Sequence, residues 1–151
     1  MPGECENFVV EAEAEAKRGD HNLSAEKWKS SGFCYSDVGD FAKASECFRN
    51  SAEESLKAKN KTGASDSFLC AAMVSLSSGN REEASNAIKI AESKGLGGTD
   101  NIKFAASFLK AASSTDKNAR KKVCDQFSFL IEDNYWLRKT LEKMGVSTSS
   151  A

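Results

Sequence analysis

The stretch from Trp28 to Phe48 reads Trp28-x3-Gly32-x2-Tyr35-x3-Gly39-x-Phe41-x2-Ala44-x3-Phe48. Trp28, Gly32 and Tyr35 recur at steps of four and three, and Phe41, Ala44 and Phe48 do the same beyond Gly39. Such steps place side chains on one face of a helix, and small residues on that face let two helices approach closely. Gly39-Asp40 sets a C-terminal stop beside a new N-cap. The stretch therefore predicts two antiparallel helices joined by a tight turn.

A second hairpin follows forty residues on. Phe68, Ala72, Gly79, Ala84 and Ala91 stand where Trp28, Gly32, Gly39, Ala44 and Ser51 stood. Self-similarity at a fixed period is the mark of a helical repeat. The rest of the chain agrees. Its one proline is Pro2, and Ala, Glu, Lys and Ser are abundant, so an all-helical fold is expected. Helices are predicted near 4–18, 25–38, 41–59, 64–78, 81–94, 101–113, 117–132 and 134–144. Gly19 stops the first, and Ser24 caps the second. Asn80 with Glu83 reads as a capping box for the fifth. Thr99 or Asp100 caps the sixth, and Thr115-Asp116 the seventh. His21 and residues 60–63 are expected in polar links.

With 151 residues, 40% of them hydrophobic, the chain suits one globular domain, placed at 1–146 with a disordered tail over 147–151. About eight helices would fill it, and Trp136, Leu137, Leu141 and Met144 would close the stack.

The Trp–small–Tyr and aromatic–Ala–aromatic pattern resembles the tetratricopeptide (TPR) repeat. The longer forty-residue period, the acidic, alanine-rich first helix, and the helices around Phe104–Ala112, Val123–Phe127 and Trp136–Met144 narrow the resemblance. They look like a shortened member of the soluble NSF attachment protein (SNAP) family. The resemblance implies a right-handed solenoid of helical hairpins. It also implies a cytosolic adaptor in vesicle trafficking that lays a curved helical sheet against a helical bundle. The family's membrane-touching loop corresponds here only to Asp20-His21-Asn22-Leu23, so fold and adaptor role are what carry over.

Composition excludes several other functions. The net charge is −1, which gives no global field for nucleic acid. No apolar run is long enough to span a bilayer, so membrane insertion is not expected. Cys5, Cys34, Cys47, Cys70 and Cys124 show no metal-ligand spacing, and their odd number fits reduced thiols and a cytoplasmic location. His21 is the sole histidine. No nucleophile–base pair or paired carboxylates stand at catalytic spacing, so no enzyme and no cofactor are expected. Gly95-Leu96-Gly97-Gly98-Thr99 lacks the Gly-Lys-Ser/Thr of a phosphate loop and follows a helix, so it reads as a corner.

The expected function is non-enzymatic adaptor or scaffold, with another protein as partner, either a peptide or a helical bundle. By TPR spacing, the first helix of each hairpin lines a concave face. That face would show Glu26, Lys29, Phe33, Ser36 and Asp37, then Asp66, Leu69, Met73, Leu76 and Ser77. Two alternatives stand beside it. Residues 101–151 carry nine bases and five acids. Lys117, Arg120, Lys121 and Lys122 crowd the start of a helix, where its dipole disfavours cations, and so form a candidate contact for nucleic acid or another anionic partner. The other alternative is self-assembly through the ends of the stack.

Overall fold

The computed structural model describes residues 3–148, which form nine α-helices and no strand among the described residues. They are α1 (Glu4–Lys17), α2 (His21–Asp37), α3 (Phe41–Lys57), α4 (Lys61–Ser77), α5 (Arg81–Ser93), α6 (Asp100–Ala112), α7 (Ala119–Gln126), α8 (Ser128–Glu132) and α9 (Tyr135–Lys143). Consecutive helices pack on one another from α1 to α9, and α4 also receives α6 and α9.

The turns between the first five helices share one design. Gly19, Gly39, Lys59 and Gly79 all take positive φ, twenty residues apart. The next residue in each case, Asp20, Asp40, Asn60 or Asn80, does two jobs. Its N–H donates back to a carbonyl of the finished helix: Glu15, Tyr35, Ser55 or Ser75. Its side chain accepts from the third N–H of the next helix: Leu23, Lys43, Gly63 or Glu83. One residue thus satisfies orphan groups of two helix ends. The repeating unit is therefore a single helix and turn of twenty residues, half the period read from the aromatic pattern. Two expected boundaries move accordingly. α2 starts at His21 behind Asp20, and α4 starts at Lys61 behind Asn60. Ser24 is no cap; its hydroxyl donates to the Ala12 carbonyl of α1 at 2.8 Å.

Small side chains occupy the contacts between helices. Ala12, Ala44, Ala52, Ala64, Ala72, Ala84 and Ala91 are fully buried. Ser31 and Ser51 are buried too, and each hydroxyl donates to a carbonyl of the preceding helix, Cys5 at 3.0 Å and Ala25 at 2.7 Å. These bonds satisfy hydroxyls that would otherwise be costly inside the protein. At Gly32 the fit is closest, since a Cβ there would stand 2.6 Å from the Phe48 ring. α4 is enclosed almost throughout, with Phe68, Leu69, Met73 and Val74 shut off from solvent.

The C-terminal part departs further from expectation. The helix predicted over 117–132 breaks at Phe127, giving nine helices rather than about eight. Phe127 turns inward and meets Phe104 edge-on at 5.6 Å, so burial of the ring outweighs helix continuity. Asp116 does not cap α7; its carboxylate accepts from the Asn118 N–H at 2.9 Å in the turn before it. Asn134 caps α9 through the Leu137 N–H. Val146 is buried, with its N–H on the Leu141 carbonyl, so it belongs to the fold. Of the expected tail, 149–151 lie outside the described residues.

The expectation of five reduced thiols is also corrected. Cys5 and Cys34 form a disulfide that joins α1 to α2. The two cysteines are 29 residues apart, and only the packing of α1 on α2 brings them together. Cys47, Cys70 and Cys124 are free and buried. Among the described residues no helix is long and apolar enough to cross a membrane.

Candidate functional site

α2 and α4 stand side by side with α3 beneath, and an open trough runs between them. One part, of about 460 Å³, is lined by Asn22, Ala25, Glu26 and Lys29 of α2, with Ser51 and Ser55 of α3 as its floor and Gly63 and Ser67 of α4 opposite. A second part, of about 610 Å³, continues past Lys29, Phe33, Asp66 and Cys70 to Asn101, Asp133, Asn134 and Tyr135. The lining residues of α2 and α4 each fall at helical steps of three and four, so each helix gives one flank to the trough.

Lys29 and Asp66 close on each other across the trough as an ion pair. Both are about one-quarter to one-third exposed, so solvent screens the pair only in part. Burial lowers the Lys29 pKa, but its neighbours together, the Asp66 carboxylate foremost, hold the ammonium above its ordinary value. Lys29 therefore stays charged. It also lies 5.9 Å from the centre of the Phe33 ring. The Asn101 amide nitrogen donates to Ser65, which leaves its buried carbonyl oxygen without a partner among the described residues. Glu26 and Asp133, both exposed, form no ion pair among the described residues. With Lys29 matched by Asp66, they leave the trough acidic.

The residues expected on that face are divided between the trough, the end of α2 and the core. Glu26, Lys29 and Phe33 line the trough, as does Asp66. Ser36 and Asp37 lie beyond it, near the far end of α2. Leu69, Met73 and Leu76 are corrected: all are buried and offer no surface to a partner. The reason is geometric. Helices facing each other across a trough show opposite flanks, whereas a forty-residue offset selects the same flank twice. For α4 that flank lies beneath the helices packed on it. The side it does present is Gly63, Asp66, Ser67 and Cys70. Asn101, Asp133, Asn134 and Tyr135 come from distant helices and were not legible in a pattern confined to one hairpin.

Comparison with protein-family models, curated proteins and solved structures returns no match. The resemblance to TPR and SNAP proteins thus rests on the residues quoted for it.

The basic cluster is spread and partly countered. Lys121 pairs with Asp125 and Lys122 with Asp116, each at 3.3 Å, and Arg120 donates to the Met144 carbonyl. The Asn118 backbone N–H, with Lys122 beside it, holds the Asp116 carboxyl below its usual range. Lys117, Arg120 and Lys121 line a hollow of about 200 Å³ beside Gly145.

His21 is no loop residue. It begins α2, and its Nδ1 lies 2.6 Å from a Glu54 carboxylate oxygen on α3. Glu54 is only 7% exposed and also meets Lys57 at 3.3 Å. The arrangement ties α2 to α3.

Proposed function

We propose that the chain is a non-enzymatic helical-repeat adaptor and that the trough between α2 and α4 is where it takes another protein. The observation that supports this reading is the pair of facing helical flanks, open to solvent, with Lys29 held charged between them. Repeated single-helix units stacked in sequence are the architecture in which such a groove forms between successive helices. The unmatched Glu26 and Asp133 favour a segment that carries Lys or Arg, and the open Asn101 oxygen favours a hydrogen-bond donor. A vesicle-trafficking role has no support beyond the family resemblance. The Cys5–Cys34 bond suits an oxidising compartment better than the reducing cytoplasm.

The test is selection from a displayed library of random peptides against the full chain. Enriched peptides should carry basic residues, and Glu26→Ala or Asp133→Ala should weaken them about tenfold, which is about 1.4 kcal/mol of binding. An empty selection, or peptides indifferent to both substitutions, would remove the trough as the binding site.

A further inference from the structure

Four asparagines line the trough, each from a different place in the chain: Asn22 in α2, Asn60 before α4, Asn101 in α6 and Asn134 before α9. Two of them are held by the helices they cap. The Asn60 side-chain oxygen accepts from the Gly63 N–H at 2.9 Å, and that of Asn134 from the Leu137 N–H at 3.0 Å. A backbone N–H must meet the amide oxygen, so each cap fixes which way its amide is turned. The nitrogen and its two N–H donors are left over, and neither nitrogen has a partner among the described residues. Gly63 leaves room for the first of them, since a Cβ there would stand 2.7 Å from the Asn60 nitrogen. Asn60 and Gly63 line both parts of the trough and so stand at their junction.

Asn101 is turned the other way. Ser65 gives its one hydroxyl proton to the Thr62 carbonyl at 3.0 Å, so toward Asn101 it can only accept. The Asn101 nitrogen therefore faces Ser65, at 3.1 Å, and its oxygen is the atom without a partner. The trough thus carries amide donors at two places and an amide acceptor at a third. That set is complementary to a peptide main chain. An extended segment has N–H and C=O groups that need partners, whereas a helix satisfies its own. A helix docks instead by laying apolar side chains into an apolar groove. Phe68, Leu69 and Met73 of α4 are shut off from solvent, and among the described residues Phe33 is the one large apolar side chain that α2 and α4 give to the trough.

We propose that the trough reads the main chain of an extended segment of the partner protein. The nitrogens of Asn60 and Asn134 donate to its carbonyls, the Asn101 oxygen accepts from one of its N–H groups, and its basic side chains meet Glu26 and Asp133. This rests on the adaptor reading and names the form in which the partner binds. Conformation and charge, rather than one fixed sequence, select the segment, because every residue but proline offers the same main-chain groups.

Asparagine and aspartate cap helices about equally well, and the chain itself has Asp20 and Asp40 at the turns equivalent to Asn60. Asn60→Asp and Asn134→Asp therefore keep the caps, remove the donors and add negative charge. Main-chain recognition and simple charge attraction then predict opposite signs for a basic peptide. The probe is a synthetic hexapeptide of alternating Lys and Val, blocked at both ends, whose valines favour extended backbone. It is titrated into the full chain labelled with nitrogen-15. The side-chain amide signals of Asn60 and Asn134 should shift downfield, and that of Asn80, which caps α5 and lines a different hollow, should not. Each of the two Asp substitutions should weaken the peptide by about fivefold, the loss of a hydrogen bond, and Asn80→Asp should leave it unchanged. Tighter binding to Asn60→Asp and Asn134→Asp, the sign that charge alone gives, overturns the proposal. Unmoved asparagine amides on the wild-type chain overturn it too, and this measurement decides should a variant fail to fold. The adaptor reading then still stands if a lactam-bridged basic helix binds and loses affinity on Glu26→Ala or Asp133→Ala. Asparagine amides that move with the hexapeptide while the library selection stays empty would overturn the adaptor reading alone.

Discussion

The Phe48 ring occupies the place where a side chain at Gly32 would otherwise be: a Cβ on Gly32 would meet Phe48 ring atoms at 2.6 to 2.9 Å. Phe48 is fully buried and in turn meets Trp136. Gly32→Ala should therefore push Phe48 aside and cost about 1–3 kcal/mol, the range for overpacking a filled core. In a Trp28→Phe background the emission of Trp136 should shift as well. Chemical denaturation followed by fluorescence reads both effects, and unchanged stability would contradict the packing.

Reducing the Cys5–Cys34 bond should cost about 3 kcal/mol, because the bond closes a span of 29 residues and restricts the unfolded chain. Thermal unfolding with and without dithiothreitol measures it. Alkylation under denaturing, non-reducing conditions should label three thiols, Cys47, Cys70 and Cys124. Five labelled thiols would rule the bond out.

Lys59 takes φ +59° at a position where the other turns of the twenty-residue series have glycine. A side chain in the left-handed region is strained, while glycine adds freedom to the unfolded chain. The balance predicts that Lys59→Gly stabilises by roughly 1 kcal/mol, a rise of about 2–4 °C in Tm for a chain of this size. A fall in Tm would show that the Lys59 side chain makes up for the strain.

Alkali should destabilise the fold through its buried thiols. Burial pushes the Cys47 and Cys70 thiols up, and that of Cys124 to about 11, from an ordinary 9.0. The unfolded chain loses these protons near pH 9, while the folded chain keeps them. Stability is thus complete below pH 9 and falls as pH rises toward the folded values, by up to about 1.4 kcal/mol per pH unit for each thiol. Denaturation midpoints between pH 8 and 11 test this. Cys124→Ala should flatten the decline, and an unchanged slope would refute its share.

The helices were legible where local rules act alone. Gly39-Asp40, Asn80 and Thr99 each announced a boundary that the structure keeps. Asp20 and Asn60 were hidden for different reasons. Ser24 imitates a cap just ahead of Ala25 and Trp28, and Lys59 stands where a glycine would have shown the twenty-residue period. The break at Phe127 depends on Phe104, 23 positions away, and the disulfide on the packing of two helices. At the trough, Glu26, Lys29 and Phe33 of α2 followed from helical spacing. Of the α4 residues Asp66 did too, but Gly63, Ser67 and Cys70 did not, because which flank of a helix stays open depends on the helices that cover the others.

α2, α3 and α4 each have seventeen helical residues, so each pass of the chain covers about 25 Å before a tight turn reverses it. The turns at Gly39 and Gly79 consequently share one end of the helices, and those at Gly19, Lys59 and Gly95 share the other. Asn22, Asn60 and Thr62, which edge the trough, belong to the second end. The first end is thus a natural handle. Val38 is 70% exposed there, so a dye, biotin or surface tether attached at that turn leaves the trough mouth facing the solution.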